Sequence, residues 1–329
     1  MLITAASFPT PELIKVTNNP GQWDQQEGFA RFQAEAANGS VAWLGERLGA
    51  VATRAERSMA FAQLYRNLAE WRFETAHRAG GRSPNSELEQ YHQSIGPHEP
   101  RTSVFGPRLR SEGGGQLDFS TRRLTDGIPT PASRQSALIG TIIEARFAAD
   151  APDSLVLQNQ IDLPDQRRVN GNLLLRGLAV AHERGIPFAI DELYATKTAE
   201  HTDRWTLQAE AFGLLADLEE RRSAGQAPDA EARRAFVQAT YYLYQGPEFV
   251  RGGDATIRTL LVAAHARVFD EALTVMQDVD IRAMTMSQRD FTEYAVQNYA
   301  LAGPSGPAAT AQQTAAHRPQ ERANGLERG

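Results

Sequence analysis

Apolar residues recur at helical spacing over much of the chain, which predicts a mainly helical protein. The first helical stretch runs from Trp23 to about His77, and Gly80-Gly81 ends it because glycine readily adopts the left-handed conformation that closes a helix. One face of this stretch follows a period of about 3.6 residues. Its apolar members are Phe61, Leu64, Tyr65, Leu68 and Trp71.

The C-terminal half repeats the helical spacing. Thr202 and Asp203 are residue types that cap helices, and they precede a predicted helix through Leu218. Its expected inner face is Trp205, Phe212 and Leu215. Further helices are predicted at 231–244, 254–268 and 287–299.

The middle of the chain is less regular. Residues 82–135 are rich in Gly, Pro and Ser, while clustered β-branched residues predict short strands at 138–147 and 155–161. Leucines at 173–178 predict another helix, which Gly185 closes, and apolar neighbours of Asp280 suggest a strand-like turn there. The predicted fold class is therefore mainly α (α+β), with a helical body and a smaller β-containing lobe.

The two ends differ in composition from the rest. Residues 1–22 contain Pro, Asn and Thr without a period, so we expect a loose leader and hypothesise that it carries a delivery signal. Residues 23–302 form the predicted folded domain. Residues 303–329 hold almost no large apolar side chain, which predicts a disordered tail because no core can form.

Composition excludes several classes of function. The 329 residues carry a net charge of −6 and no cysteine, which excludes disulfides and thiol-ligated metals. No His, Asp and Glu cluster has metal-ligand spacing, so no metal site is predicted. The acidic balance argues against nucleic acid as a partner. No apolar run of about 18 residues predicts a membrane span.

The segment Arg251-Gly252-Gly253 is the first candidate for chemistry, because it stands directly before a predicted helix. Bare glycine backbone, outward N–H groups and a guanidinium suit a phosphate or carboxylate. The alternative is an ordinary helix start, in which Asp254 caps the N–H groups and repels an anion.

Three further side chains are candidates. His201 precedes a predicted helix, whose positive end favours the neutral, base-competent imidazole, although a lone histidine is more often a packing residue. Asp280 lies between apolar residues and is expected to be held in place, with a turn or cap role as the alternative. Thr102 lies in the irregular segment, where a threonine usually makes only local hydrogen bonds.

Five short motifs occur in an order that resembles a known family. They are Glu70-Trp71-Arg72, His201-Thr202-Asp203, Arg251-Gly252, Asp280-Ile281-Arg282-Ala283-Met284 and Phe291-Thr292-Glu293-Tyr294. Together they are similar to the AvrB-type avirulence effectors of plant-pathogenic bacteria, which share the Fic-like (Fido) helical core. The resemblance covers about 200–295 and 55–80 and is poor between them.

The resemblance implies a two-lobed, Fido-like domain whose cleft brings together Thr102, His201, Arg251 and Asp280. Arg251, Gly252 and Gly253 would bind a nucleotide or nucleotide-sugar, which is a co-substrate and not a permanently bound cofactor. Arg251 and Thr102 would contact the substrate, and Asp280 or His201 would take a proton or stabilise a cationic sugar. The expected reaction moves a glycosyl-type group onto a hydroxyl of a host immune-regulator protein.

Such a protein would be secreted and translocated into the host cell, to the cytoplasm or the inner face of the plasma membrane. Two alternatives stay open: a non-catalytic effector whose cleft grips a host peptide, and a Fic-like nucleotidyltransferase. The phosphate motif of Fic enzymes is absent from the sequence, which weakens the second alternative.

Overall fold

A computed structural model describes residues 2–12, 18–78, 88–97, 100–105, 116–118, 120–125, 127–190 and 192–299. The tail predicted from residue 303 lies outside these residues. The described helices are α1 (Trp23–Gly49), α2 (Arg54–Arg78), α3 (Pro131–Asp150), α4 (Leu178–Glu183), α5 (His201–Ser223), α6 (Ala230–Gln245), α7 (Gly253–Phe269), α8 (Val279–Thr285) and α9 (Gln288–Tyr299), with 3-10 turns at Ala5–Ser7 and Pro20–Gln22. The described strands are β1 (Thr102–Phe105), β2 (Leu117–Asp118), β3 (Arg123–Leu124), β4 (Val156–Asp162), β5 (Arg168–Arg176) and β6 (Tyr194–Lys197).

The predicted fold class is confirmed, because a helical body accompanies one small antiparallel sheet. The sheet has the strand order β1-β6-β5-β4, and β2 and β3 form a separate hairpin-like pair. In β5, Leu174 packs toward α3, whereas Leu175 packs with residues of α4 on the opposite face. This alternation is the strand period of two, with both faces of the sheet covered.

Helix α7 forms the centre of the helical body. It packs against α1, α2, α5 and α6. Its residues from Ile257 to Ala264 are nearly all inaccessible to solvent. A helix that is buried on all sides is enclosed by other helices and has a fixed position. The loop before α7 is therefore attached to a fixed element.

Two sequence-based predictions of local structure are wrong. Residues 138–147 form helix α3, not a strand, because Ile139, Ile143 and Phe147 are spaced by four and pack against the sheet. Thr130 caps this helix by accepting a hydrogen bond from the Ser133 N–H. Residues 173–175, predicted as a helix, instead end strand β5, whose two buried faces give a continuous apolar run.

Smaller predictions also need correction. Residues 278–281 are not a strand-like turn, because helix α8 begins at Val279. Trp205 does not lie on the inner face of α5, since its side chain is 61% exposed. Helix α5 begins at His201, and no side chain caps it, so Thr202 and Asp203 lie inside its first turn.

The expected loose leader is partly docked. Ile3 and Phe8 are buried in the main hydrophobic core. Asn38 of α1 holds the same segment, because its side chain accepts from the Ile3 N–H at 3.0 Å and donates to the Ile3 carbonyl at 2.8 Å. Two buried apolar side chains explain why the segment packs although it lacks a periodic pattern.

Candidate functional site

The loop before α7 turns tightly at Gly252. This residue has a φ of +73°, and a Cβ there would lie 2.7 Å from Cδ1 of Tyr91 and 3.0 Å from Cγ of Arg72. Both the left-handed conformation and the close approach require glycine. Gly252 occupies the cap position, and no side chain within the described residues caps α7. The helix start therefore keeps the N–H groups that suit an anion.

Asp254 does not act as the helix cap that the alternative interpretation assigned to it. Its carboxylate accepts a hydrogen bond from the Tyr244 hydroxyl at 2.8 Å and pairs with the buried Arg258 at 3.0 Å. Arg258 also donates to the carbonyl groups of Met276 and Gln277. Asp254 therefore bonds to these two side chains and not to the helix N–H groups.

Arg72 and Arg251 pack on the ring of Tyr91, and Arg101 lies near enough to Arg251 to feel its charge; we call Arg72, Arg101 and Arg251 the arginine cluster. The guanidinium carbon of Arg72 lies 4.4 Å from the Tyr91 ring centroid, and that of Arg251 lies 5.6 Å from it. Burial and the positive charge of Arg251 lower the pKa of both Arg72 and Arg101.

The arginine cluster concentrates positive charge. In the described part of the chain, no carboxylate forms an ion pair with Arg72 or Arg101, and Nε of Arg72 is buried without a hydrogen-bond partner. Like charges held together next to an uncapped helix start favour a bound anion, because the anion relieves their repulsion.

Asp280 lies in the first turn of α8, close to Asp254 and Arg258. Burial and the negative charge of Asp254 raise the pKa of the Asp280 carboxyl to about 7, against an opposing effect of Arg258. Asp280 as a whole residue is half-buried, but protein atoms enclose its carboxyl. A carboxyl titrating near neutrality can accept or donate a proton.

His201 begins α5 beside Glu248. Its Nδ1 is buried without a hydrogen-bond partner, and its ring centroid lies 4.8 Å from that of Trp205. Burial raises the pKa of the Glu248 carboxyl, whereas the nearby Arg66 and His201 act in the opposite direction. A buried ring nitrogen without a hydrogen-bond partner destabilises the folded protein. Such a nitrogen is typical of a side chain that hydrogen-bonds to a ligand.

Thr102 begins β1 and is engaged by the sheet side of the molecule. Its hydroxyl donates to Oε1 of Glu183 on α4 at 2.9 Å, and Lys197 pairs with the other oxygen of Glu183 at 3.1 Å. The preceding residue, Arg101, exchanges two hydrogen bonds with Thr198, three residues before His201. These hydrogen bonds hold Arg101, which precedes the edge strand β1, beside the segment that leads from β6 to helix α5.

The structure gives each predicted residue its own neighbours. Arg251 lies near Arg72 and Arg101. Asp280 lies near Asp254, and His201 lies near Glu248. Glu248 and Asp254 are each three residues from Arg251 along the chain, so the segment 248–254 links the three neighbourhoods. The hydroxyl of Thr102 is held by Glu183 instead.

Of the arginine cluster, the sequence pattern indicated only Arg251; Arg72 and Arg101 were not among the predicted site residues. Arg72 continues the apolar face of α2 one turn after Leu68, and a charged residue at a core position is a usable signal. Tyr91 and Arg101 lie in the irregular segment and carry no periodic signal. Backbone hydrogen bonds of Ile95 with Glu248, Val250 with Gln93 and Arg251 with Gln90 bring that segment to the loop before α7.

Within the described ranges, no three His, Asp or Glu side chains come together as a metal site. None of the described helices is both long enough and apolar enough to cross a membrane.

No protein-family model matches the chain, and no curated protein matches it significantly.

Proposed function

We propose that the protein transfers a glycosyl-type group from a nucleotide donor to a hydroxyl group of a host protein. The observation that carries the proposal is the arginine cluster beside the uncapped start of α7, with the Asp280 carboxyl near the first turn of the same helix. The cluster suits the two phosphates of a nucleotide-sugar, which carry negative charge in both substrate and product.

The proposed reaction uses these groups as follows. The acceptor oxygen forms a bond to the anomeric carbon of the sugar, while the bond from that carbon to the phosphate oxygen breaks. The proton of the acceptor hydroxyl passes to the Asp280 carboxylate, and the bonding electron pair leaves with the nucleoside diphosphate. The arginine cluster offsets the negative charge that develops on this leaving group.

His201 is proposed to contact the acceptor, because its half-buried ring packs against the exposed Trp205 on the same side of α5. A host immune regulator as the acceptor, and translocation into the host cell, rest on the sequence resemblance to the AvrB-type effectors alone. No contact within the described residues identifies either.

Mass spectrometry tests the proposal. The purified protein is incubated with a plant cell extract and a panel of nucleotide-sugars, and modified proteins and released nucleoside diphosphate are measured. We expect a mass increment of one glycosyl group. Asp280→Asn should lower the rate by about 10²–10⁴-fold because the proton acceptor is lost. Arg251→Ala should weaken donor binding, whereas Arg234→Ala, at an exposed arginine on α6, should change neither.

A second candidate function is non-catalytic binding of a host peptide. The exposure of Trp205 beside His201 favours it, because exposed tryptophans are frequent anchors for protein partners. Peptide binding without any mass increment or released diphosphate would support this candidate. An increment of the size of AMP would instead indicate nucleotidyl transfer.

A further inference from the structure

A concave pocket lies behind the arginine cluster, at the N-terminal end of α1. It has a volume of about 350 Å³, and we call it the glutamine pocket. Its lining includes Gln22, Gln25, Gln26, Gln33, Phe29 and the paired Asp254 and Arg258. Gln22 ends the 3-10 turn before α1, and the three other glutamines lie on α1, so four amide side chains meet at the start of this helix.

The chemistry of the glutamine pocket suits a neutral, planar ligand with hydrogen-bonding edges. Each amide can both donate and accept, and Phe29 supplies an apolar wall. Two amides are already used within the protein, since Gln26 donates to the Pro9 carbonyl and Gln33 to the Thr259 hydroxyl. Those of Gln22 and Gln25 are exposed at the rim. Glutamine amides pair well with the edges of nucleobases.

The glutamine pocket and the arginine cluster are adjacent. The guanidinium carbon of Arg72 lies 5.0 Å from the Phe29 ring centroid and 4.4 Å from that of Tyr91, so this arginine of the cluster lies against Phe29, which lines the pocket. Asp254 lines the pocket, and Gly252, two residues earlier, touches Tyr91 and Arg72. The start of α7 therefore borders both sites.

We infer that the glutamine pocket binds the nucleoside part of the donor, with the base against Gln22 and Gln25, while the diphosphate reaches the arginine cluster. This inference rests on the proposed function and adds to it where the base is recognised. The side chain of Asp254 is 41% exposed and keeps acceptor capacity beyond its bonds to Tyr244 and Arg258. It can accept a hydrogen bond from a ribose hydroxyl.

Calorimetry separates base recognition from phosphate binding. The full chain is titrated with nucleoside diphosphates of different bases and with inorganic pyrophosphate. We expect one base to be preferred. The double variant Gln22→Ala/Gln25→Ala should weaken binding of that nucleoside diphosphate by about tenfold, the effect of losing hydrogen bonds to a base. Its affinity for pyrophosphate should be unchanged, because neither side chain belongs to the arginine cluster.

Two control variants complete the experiment. Arg251→Ala should weaken both nucleoside diphosphate and pyrophosphate, and Gln63→Ala, at an exposed glutamine of α2 outside the pocket, should weaken neither. Equal affinity for all bases, or an unchanged preference in the double variant, would overturn the inference and leave the phosphate site of the proposed function standing. If the wild-type protein binds neither pyrophosphate nor any nucleoside diphosphate, both this inference and the proposed function are overturned.

Discussion

Asp280 is the residue whose environment says most about chemistry. Tyr244, Asp254, Arg258 and Asp278 surround its carboxyl, and burial dominates the rise of its pKa to about 7. At neutral pH both its protonated and its ionised forms are populated. A carboxyl with its ordinary pKa of 3.8 would be a much weaker proton acceptor.

The raised pKa of Asp280 predicts a stability that depends on pH. The folded protein keeps this proton up to about pH 7, whereas the unfolded chain loses it near pH 3.8, so the free energy of unfolding should fall as the pH rises between these values. Asp280→Asn removes the ionisation. Its Tm should therefore exceed that of the wild type by roughly 10 °C at pH 8, with little difference near pH 4. Equal Tm values at both pH values would contradict the assigned burial.

The same pKa predicts the pH dependence of the proposed transfer. The ionised carboxylate accepts the proton, so kcat/KM should rise as the pH increases toward about 7 and level off above it. A stopped assay of diphosphate release at pH 5.5 to 8.5 measures this profile. A profile that is flat across this range, with the donor saturating, would exclude Asp280 as the base.

The start of α7 shows how one element positions the site. Gly252 and Gly253 are adjacent, but they differ in what they require. Gly252 has a positive φ and no room for a Cβ, whereas a Cβ at Gly253 would meet nothing within 4 Å. Sequence alone cannot distinguish these two glycines.

Substitution of these glycines by alanine tests that difference. Gly252→Ala should destabilise the protein by more than about 1 kcal/mol, because the left-handed strain adds to a clash with Tyr91 and Arg72. Gly253→Ala lies in the first helical turn and should be neutral or stabilising by up to about 1 kcal/mol. Denaturant unfolding measures both. Similar losses in the two variants would refute the tight turn at Gly252.

At the scale of the whole molecule, distant segments meet at the arginine cluster. Arg72 comes from the end of α2, Arg101 from the segment before the sheet, and Arg251 from the loop before α7. The docked amino-terminal segment adds to the core beneath α1. The helical body and the sheet therefore both contribute to the candidate site.

The amino-terminal segment provides a test of this whole-molecule packing. Phe8 is 1% exposed, and Phe8→Ala should lower the free energy of unfolding by about 3–5 kcal/mol. Leu2 is 73% exposed, so Leu2→Ala should change it by less than about 0.5 kcal/mol. Thermal unfolding compares the two variants, and a mild effect of Phe8→Ala would mean that the segment is loosely held.

This packing also affects the test of a delivery signal. Deletion of residues 1–22 removes Ile3 and Phe8 from the core, so a loss of translocation would have two explanations. Substitution of exposed residues such as Leu2 or Gln22 leaves the core intact. Reduced translocation of such variants with unchanged Tm would support the delivery hypothesis, and undiminished translocation would count against it.

Local patterns in the chain were sufficient for most of the helical body. Helical periodicity predicted most of the residues of α1, α2, α5, α6, α7 and α9, because this signal acts within a few residues. It does not separate α1 from α2, and the cap predicted for α5 is absent. The predicted stop at Gly80-Gly81 lies outside the described residues. They also selected Arg251, His201 and Asp280 as candidates. Helix α3 and strand β5 could not be assigned in this way, since short apolar runs suit either conformation until a partner surface selects one.

Tertiary contacts alone decided which candidates meet. The positive charge at Arg251 depends on Arg72 and Arg101, which are separated from it by more than half of the described chain. The pKa of Asp280 depends on Asp254 and on burial, neither of which has a sequence pattern. Charge repulsion and desolvation act through space, so their strength is set by the fold and not by the order of residues.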